Sequence, residues 1–297
     1  AERKGRTKAD VDEIITWLGR LEAGTASMLS SATAGLDPIR GVEHSVESAQ
    51  RPDGGEVTLL LHRPAGITHP LPGVIHLHGG GGVMMSAADD GYARWRDELA
   101  SLGSVVIGVE FRNGAGRLGP HPFPAGLDDC AAALNWVDAN REDLRLSSLV
   151  LSGDSGGANL SIATAIRAKR SDRGARIDGV YAMCPYISGA YADPPPELAS
   201  LRDNDGILVS VALMGAMARA YAPDPADSAD PLAWPYHSTV DDLTGLPPHV
   251  ISVNELDPLL DEGLAYYRML LAAGVPAMAR TVNGTFHGAE TNWFGVI

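Results

Sequence analysis

Leu149-Val-Leu-Ser-Gly-Asp-Ser-Gly-Gly-Ala-Asn-Leu160 passes from an apolar run, through glycines that bracket a serine, into an alanine- and isoleucine-rich stretch reaching Lys169. Leu149–Ser152 reads as a buried strand and Gly156–Lys169 as a helix, with a Gly-x-Ser-x-Gly turn at the junction. A turn this sharp holds Ser155 in strained backbone geometry and presents its hydroxyl at the amino terminus of the helix. Backbone N–H groups there favour developing negative charge. Glycines on either side let strand and helix approach closely. The bland alternative is a glycine-rich turn without chemistry, and the strand–turn–helix context argues against it.

The same rhythm extends in both directions. Val74–His78, Val105–Glu110, Val180–Cys184, Val250–Asn254 and Met278–Val282 are short β-branched or apolar runs. They alternate with helical stretches at Tyr92–Ser101, Leu127–Asn140 and Glu262–Ala273. This predicts an α/β fold with a mostly parallel central sheet and helices on both faces. Upstream, Val42–Ser48 and Glu56–His62 flank Arg51-Pro-Asp-Gly-Gly55 and predict an antiparallel hairpin, preceded by a helical stretch over Val11–Ala26. From Pro185 to Pro248 no strand is predicted; Pro194-Pro-Pro196, a helical stretch near Val209–Tyr221 and a Pro/Asp-rich run to Tyr236 fill the interval. An insertion of that length in a regular chain reads as a cap or lid. The expected division is amino-terminal cap helices in 1–40, a core in 41–184 and 249–297, and a helical cap in 185–248.

A serine nucleophile needs a base and an acid that orients it. His287, in Gly284-Thr-Phe-His-Gly288, is the one histidine of nine that follows every predicted strand. Asp257 lies in the loop after the preceding strand. Glu255 competes with it, while Asp261 and Glu262, and likewise Asp128 and Asp129, read as helix caps. The second glycine cluster, His78-Gly79-Gly80-Gly81-Gly82, directly follows a strand and can aim backbone N–H groups at a carbonyl oxygen turning into an oxyanion. It lacks the Lys-Ser/Thr ending of a phosphate-binding loop. His76 and His78 share a strand face but have no third metal ligand placed beside them. Met84, Met85, Met214, Met217 and Tyr191 are candidates for an apolar pocket lining, with plain core packing the alternative for at least half of them.

Composition mainly excludes partners. The 297 residues carry 23 Lys+Arg against 37 Asp+Glu, a net charge of −14, which leaves no basic surface for nucleic acid or anionic membrane. The segment Ile207–Ala222 carries Gly215 and Arg219 and is too short for a membrane span. Cys130 and Cys184 lie outside any metal-binding or disulfide pattern. No secretory leader is evident, so the expectation is a soluble, cytoplasmic protein; the absence of an initial Met suggests a start further upstream. A chain of this length can bury roughly three quarters of its surface.

His78-Gly-Gly-Gly81, His121-Pro-Phe-Pro-Ala-Gly-Leu-Asp-Asp129, Gly153-Asp-Ser-Gly-Gly157, Asp257-Pro-Leu-Leu-Asp-Glu-Gly263 and Phe286-His-Gly288 together resemble the bacterial hormone-sensitive-lipase-like esterases of the α/β-hydrolase superfamily. The resemblance spans nearly the whole chain. It implies an α/β-hydrolase fold with Ser155 as nucleophile, His287 as base, Asp257 as acid, and an oxyanion hole from the N–H groups of Gly80, Gly81 and Gly156. The implied reaction is hydrolysis of a small-molecule carboxylic ester or lactone through an acyl-enzyme, with no metal or organic cofactor. Phe111-Arg-Asn113, His121-Pro-Phe-Pro124, Pro185-Tyr-Ile-Ser-Gly189 and Ala233-Trp-Pro-Tyr236 resemble a member that opens a macrocyclic lactone. An amidase or arylformamidase using the same three residues is the alternative activity, and a non-catalytic small-molecule receptor is the alternative of another class. Related esterases often form homodimers along the last strand. The chain departs from the family at Phe111–Gly119, where a Tyr-Arg-Leu-Ala-Pro-Glu stretch is usual, and at Gly156, where Ala is usual. Only ten residues follow His287, which suggests a missing terminal helix.

Overall fold

A computed structural model describes residues 8–171 and 176–292. The outer ends of the two terminal segments assigned above, 1–7 and 293–297, lie outside the described residues. The chain runs α1 (Lys8–Thr33), β1 (Val42–Gln50), β2 (Glu56–Pro64), β3 (Leu71–Leu77), α2 (Asp90–Ser101), β4 (Val105–Glu110), α3 (Ala125–Ala139), β5 (Leu146–Asp154), α4 (Gly156–Arg170) and β6 (Gly179–Met183). It continues through α5 (Ser200–Asp203), α6 (Val211–Tyr221), α7 (Val240–Leu243), β7 (His249–Asn254), α8 (Leu260–Ala272), β8 (Ala277–Val282) and α9 (Ala289–Asn292).

All eight strands of the described residues join one sheet in the order β1-β2-β4-β3-β5-β6-β7-β8. The hairpin pairs Val42 with Pro64 and Gln50 with Glu56, and β2 runs antiparallel to β4; β4, β3, β5, β6, β7 and β8 are parallel throughout. The step from β3 to β4 moves in one direction across the sheet and the later steps move in the other. Crossovers of one hand therefore put α2 on one face and α3, α4 and α8 on the opposite face. The order reverses between β3 and β5, and the crevice beyond the carboxyl ends of strands at such a point is where α/β folds bind ligands.

Two apolar clusters form among the described residues. Leu59, Ile75, Ile107, Leu149, Leu151, Ile162, Ile251 and their neighbours fill the space between sheet and helices. A second cluster joins Leu18 of α1, Val83 and Met84 after the glycine loop, and Tyr186, Met214, Tyr221 and Trp234 of the 185–248 segment. That segment adds no strand among the described residues, and its α6 packs on α1. Met84, Met214 and Tyr191 are core residues of this second cluster. No described helix is long and apolar enough to cross a membrane.

Two capping assignments are corrected. Pro124, not an aspartate, holds the N-cap position of α3. Asp129 is buried and accepts from the backbone N–H of Arg112 at 2.8 Å and from its guanidinium at 2.9 Å, while Asp128 pairs with Arg167. Leu259 is the N-cap residue of α8, and Asp261 and Glu262 turn toward the 185–248 segment instead. In both cases a side chain one turn into a helix reaches a backbone far away in sequence, and nearby periodicity carries no record of that partner.

Candidate active site

The carboxyl ends of β3, β5, β6, β7 and β8 lie along one edge of the sheet, and each feeds a loop of the site. At the end of β5, Ser155 sits at φ +54° and ψ −116°, outside ordinary backbone regions for a side-chain-bearing residue. Such a conformation costs roughly 1–3 kcal/mol and is held by its surroundings. Here Ser155 N–H donates to Met183 O at 2.9 Å and Ser155 O accepts from Tyr186 N–H at 3.2 Å. The turn also depends on close backbone contact. A Cβ on Gly157 would stand 2.0 Å from Leu77 O, and one on Gly156 would stand 2.5 Å from Gly82 N. The departure at Gly156 therefore coincides with direct backbone contact between the turn and the glycine loop after β3.

Ser155 Oγ lies 3.0 Å from His287 Nε2, and His287 Nδ1 lies 2.8 Å from Asp257 Oδ2. Asp257 is fully buried; its Oδ1 accepts from Leu259 N–H at 2.9 Å, so the carboxylate is held from both sides. The loops carrying Asp257 and His287 are laced together. Leu256 N–H donates to Thr285 O at 2.9 Å, Asn254 Nδ2 donates to Thr285 Oγ1 at 2.8 Å, and Asn204 Nδ2 donates to Asp257 O at 3.1 Å. Glu255 faces away and accepts from Gly284 N–H at 2.6 Å. Burial would lower the pKa of His287, but Asp257, with Cys184 close by, holds it well above the ordinary 6.5.

Gly80 and Gly81 adopt φ of +91° and +64°, a region that favours glycine. Gly80 O accepts from the N–H groups of Val83 and Met84, which folds the loop back on itself. Met85 and Met217 stand beside this loop: a Cβ on Gly80 would be 3.1 Å from Met85 Cγ, and one on Gly81 would be 2.2 Å from Met217 Cε. The rebuilt stretch after β4 supports the loop from outside. Gly114 N–H donates to Gly82 O, Ala115 N–H to Val83 O and Asn113 Nδ2 to Met85 O. The His78 ring stacks on Phe111 with centroids 4.1 Å apart. From α1, Glu22 accepts from both Met85 N–H and Arg117 N–H at 2.7 Å, tying the first helix to the two loops.

Sequence reading missed Glu262. Its buried carboxylate accepts from Ile187 N–H at 2.7 Å, Ser188 N–H at 3.2 Å, Ser188 Oγ at 2.7 Å and Tyr191 Oη at 2.8 Å, anchoring the start of the 185–248 segment to α8. Burial pushes its pKa up from 4.5 to about 7, against the pull of those donors. A carboxyl whose pKa is higher in the folded chain contributes stability below its unfolded value and loses it as pH rises through the folded one. Urea unfolding at pH 5 and pH 8 should therefore show a loss on the order of 3 kcal/mol across that window attributable to Glu262. Glu262→Gln is expected to flatten the pH dependence by that amount, and an unchanged slope would contradict it.

Two groups of metal-capable donors occur among the described residues. In the first, His44 Nε2 and His62 Nδ1 converge on Asp97 Oδ1 at 2.7 and 2.6 Å. Arg96 Nε donates to His62 Nε2 at 2.9 Å, which puts the imidazole proton on Nδ1, and the guanidinium would repel a cation. The second comprises Cys184, Asp257 and His287, where the carboxylate is already occupied by Nδ1–H and Leu259 N–H. Neither arrangement is poised for a metal. Cys184, directly after β6, is a buried free thiol.

The sequence profile of the α/β-hydrolase fold family matches residues 74–291. Brefeldin A esterase, described as a bacterial homologue of human hormone-sensitive lipase, superposes with a TM-score of 0.93 at 44% identity over 99% of this chain and 83% of its own. Esterase LipI of Mycobacterium tuberculosis is 32% identical over 220 residues, 73% of this chain and 65% of LipI. Probable carboxylesterase 2 of Arabidopsis thaliana is 30% identical over 280 residues, 89% of this chain and 84% of that protein. With a β3–β5 switch point, a serine turn at the end of β5 and these likenesses, the chain belongs to the α/β-hydrolase fold family, among the esterases related to hormone-sensitive lipase.

Proposed function

We propose that this chain hydrolyses carboxylic esters through an acyl-enzyme on Ser155. The observation that carries the reading is the continuous contact Ser155 Oγ, His287, Asp257, at 3.0 and 2.8 Å, beside a glycine loop that touches the residue after the serine. With Asp257 accepting from Nδ1–H, the Nε2 lone pair faces the serine hydroxyl. His287 takes the Ser155 proton as Oγ attacks the ester carbonyl. The N–H groups of Gly80, Gly81 and Gly156 receive the tetrahedral oxyanion. The carbon–oxygen bond to the alcohol then breaks, with Nε2 returning the proton to the departing alkoxide. Water, deprotonated by the same imidazole, attacks the acyl carbon; the bond from that carbon to Ser155 Oγ breaks, and Nε2 returns the proton to Oγ, releasing the carboxylic acid and free Ser155.

The 185–248 segment and α1 act as the cap in this reading. Support comes from their shared apolar cluster above the glycine loop, the Glu22 bonds to that loop and the Glu262 anchor. Among esters, lactones including macrocyclic ones are the finer substrate class we propose. The likeness to brefeldin A esterase over 99% of the chain supports it.

A panel of p-nitrophenyl esters of increasing acyl length, a macrocyclic lactone and a p-nitroanilide tests the reading. Ester and lactone turnover far above that of the anilide is expected. Preferred anilide cleavage would favour an amidase, and binding without turnover of any of them would favour a receptor.

A further inference from the structure

Tyr92, on α2, is 2% exposed and belongs to none of the catalytic groups assigned above. Its hydroxyl oxygen accepts from Gly79 N–H at 2.9 Å and lies 3.3 Å from Asp154 Oδ2, to which the phenol proton can be donated. Gly79 immediately precedes Gly80 and Gly81; Asp154 immediately precedes Ser155 and Gly156. One buried phenol thus joins the two chain segments that carry the three oxyanion donors. The junction is tight: a Cβ on Gly79 would stand 2.5 Å from Asp154 Oδ2 and 2.7 Å from Tyr92 Oη.

We propose that Tyr92 is a positioning residue for the oxyanion hole, its hydroxyl setting the Gly80–Gly81 segment in register with Gly156 at the serine turn. This rests on the ester-hydrolysis reading. Without the hydroxyl, Gly79 N–H has no partner in a buried place, and Asp154 Oδ2 loses its donor while Oδ1 has none among the described residues. The cheapest relief is a local shift of Gly79–Gly81 away from the turn, because the His78–Phe111 stack holds the start of the loop and the bonds from Gly114, Ala115 and Asn113 hold it only from Gly82 onward. Donors aimed at a developing charge act only within a few tenths of an ångström of their place. Burial supports the assignment, since it holds the Tyr92 pKa well above 10 and keeps the phenol a donor.

Tyr92→Phe removes one oxygen and keeps the ring. On a p-nitrophenyl ester it is expected to lower kcat about 10- to 100-fold with KM within about twofold, because misplaced donors affect the transition state and not ground-state binding. The diagnostic comparison is a matched thionoester, whose sulfur accepts these hydrogen bonds poorly. The ester-to-thionoester ratio of kcat should fall in the variant by nearly the factor lost on the ester. Both rates come from one sample, so any change in folded fraction cancels. An unchanged kcat overturns the proposal, and so does an equal loss on both substrates, which would assign Tyr92 a general structural role. Failure of the underlying reading looks different, because then the unsubstituted chain turns over neither substrate.

Discussion

Replacing Ser155 with alanine is expected to lower kcat for a p-nitrophenyl ester by about 10⁶-fold, the scale on which a serine-dependent acyl transfer loses its nucleophile. Only the Oγ that lies 3.0 Å from His287 Nε2 is removed. The backbone bonds of Ser155 to Met183 and Tyr186 persist, and alanine occupies the same strained φ at similar cost. The melting temperature should therefore change by no more than a few degrees, and calorimetric titration with a non-hydrolysable ester analogue should retain its affinity. Residual turnover comes from the oxyanion donors and binding alone. Turnover within about 100-fold of the unsubstituted chain would mean another group attacks the ester.

Asp257→Asn is expected to lower kcat by roughly 10⁴-fold with little change in structure. The asparagine amide can donate to Nδ1, which forces the imidazole proton onto Nε2, where it faces Ser155 and blocks proton acceptance. The pH profile supplies a second readout. Only neutral imidazole can take the serine proton, so kcat/KM of the unsubstituted chain should rise with pH through the elevated His287 value and fall away below it. With the Asp257 charge gone, the largest influence raising that pKa is lost while burial still lowers it, so it falls. The acid limb of the residual activity should then move to lower pH than in the unsubstituted chain. A profile that keeps its position would show that Asp257 does not set the charge state of the base.

How much of this was legible in the sequence divides along physical lines. All eight strands and the long helices followed from local patterning: central strands such as β4, β5 and β7 are buried apolar runs with sharp ends, and the exposed β1 was betrayed by its hairpin turn, Pro52-Asp-Gly-Gly55. The serine turn was legible because its geometry tolerates only glycine at Gly157, where a side chain would strike Leu77 O. His287 stood out by its position after the last strand. The choice between Asp257 and Glu255 was not decidable from spacing: the two share one turn, and it is the bonds of Leu259 to Asp257 and of Gly284 to Glu255 that point them in different directions. Asp129, Glu262 and Tyr92 escaped for a common reason. Each acts on a segment 13 to 75 residues away, from Tyr92 to Gly79 at 13, Arg112 to Asp129 at 17 and Ile187 to Glu262 at 75, and that proximity exists only once the sheet is assembled.

The most direct test of the account is covalent labelling with diisopropyl fluorophosphate followed by mass spectrometry of the digested chain. The fluoride leaves as Oγ attacks phosphorus, so a nucleophile activated by His287 becomes stably phosphorylated. One diisopropylphosphoryl group per chain is expected, on the peptide containing Ser155, with none in Ser155→Ala and much slower incorporation in Asp257→Asn. Absence of incorporation, or labelling that persists in Ser155→Ala, would contradict the assignment of Ser155 as the nucleophile.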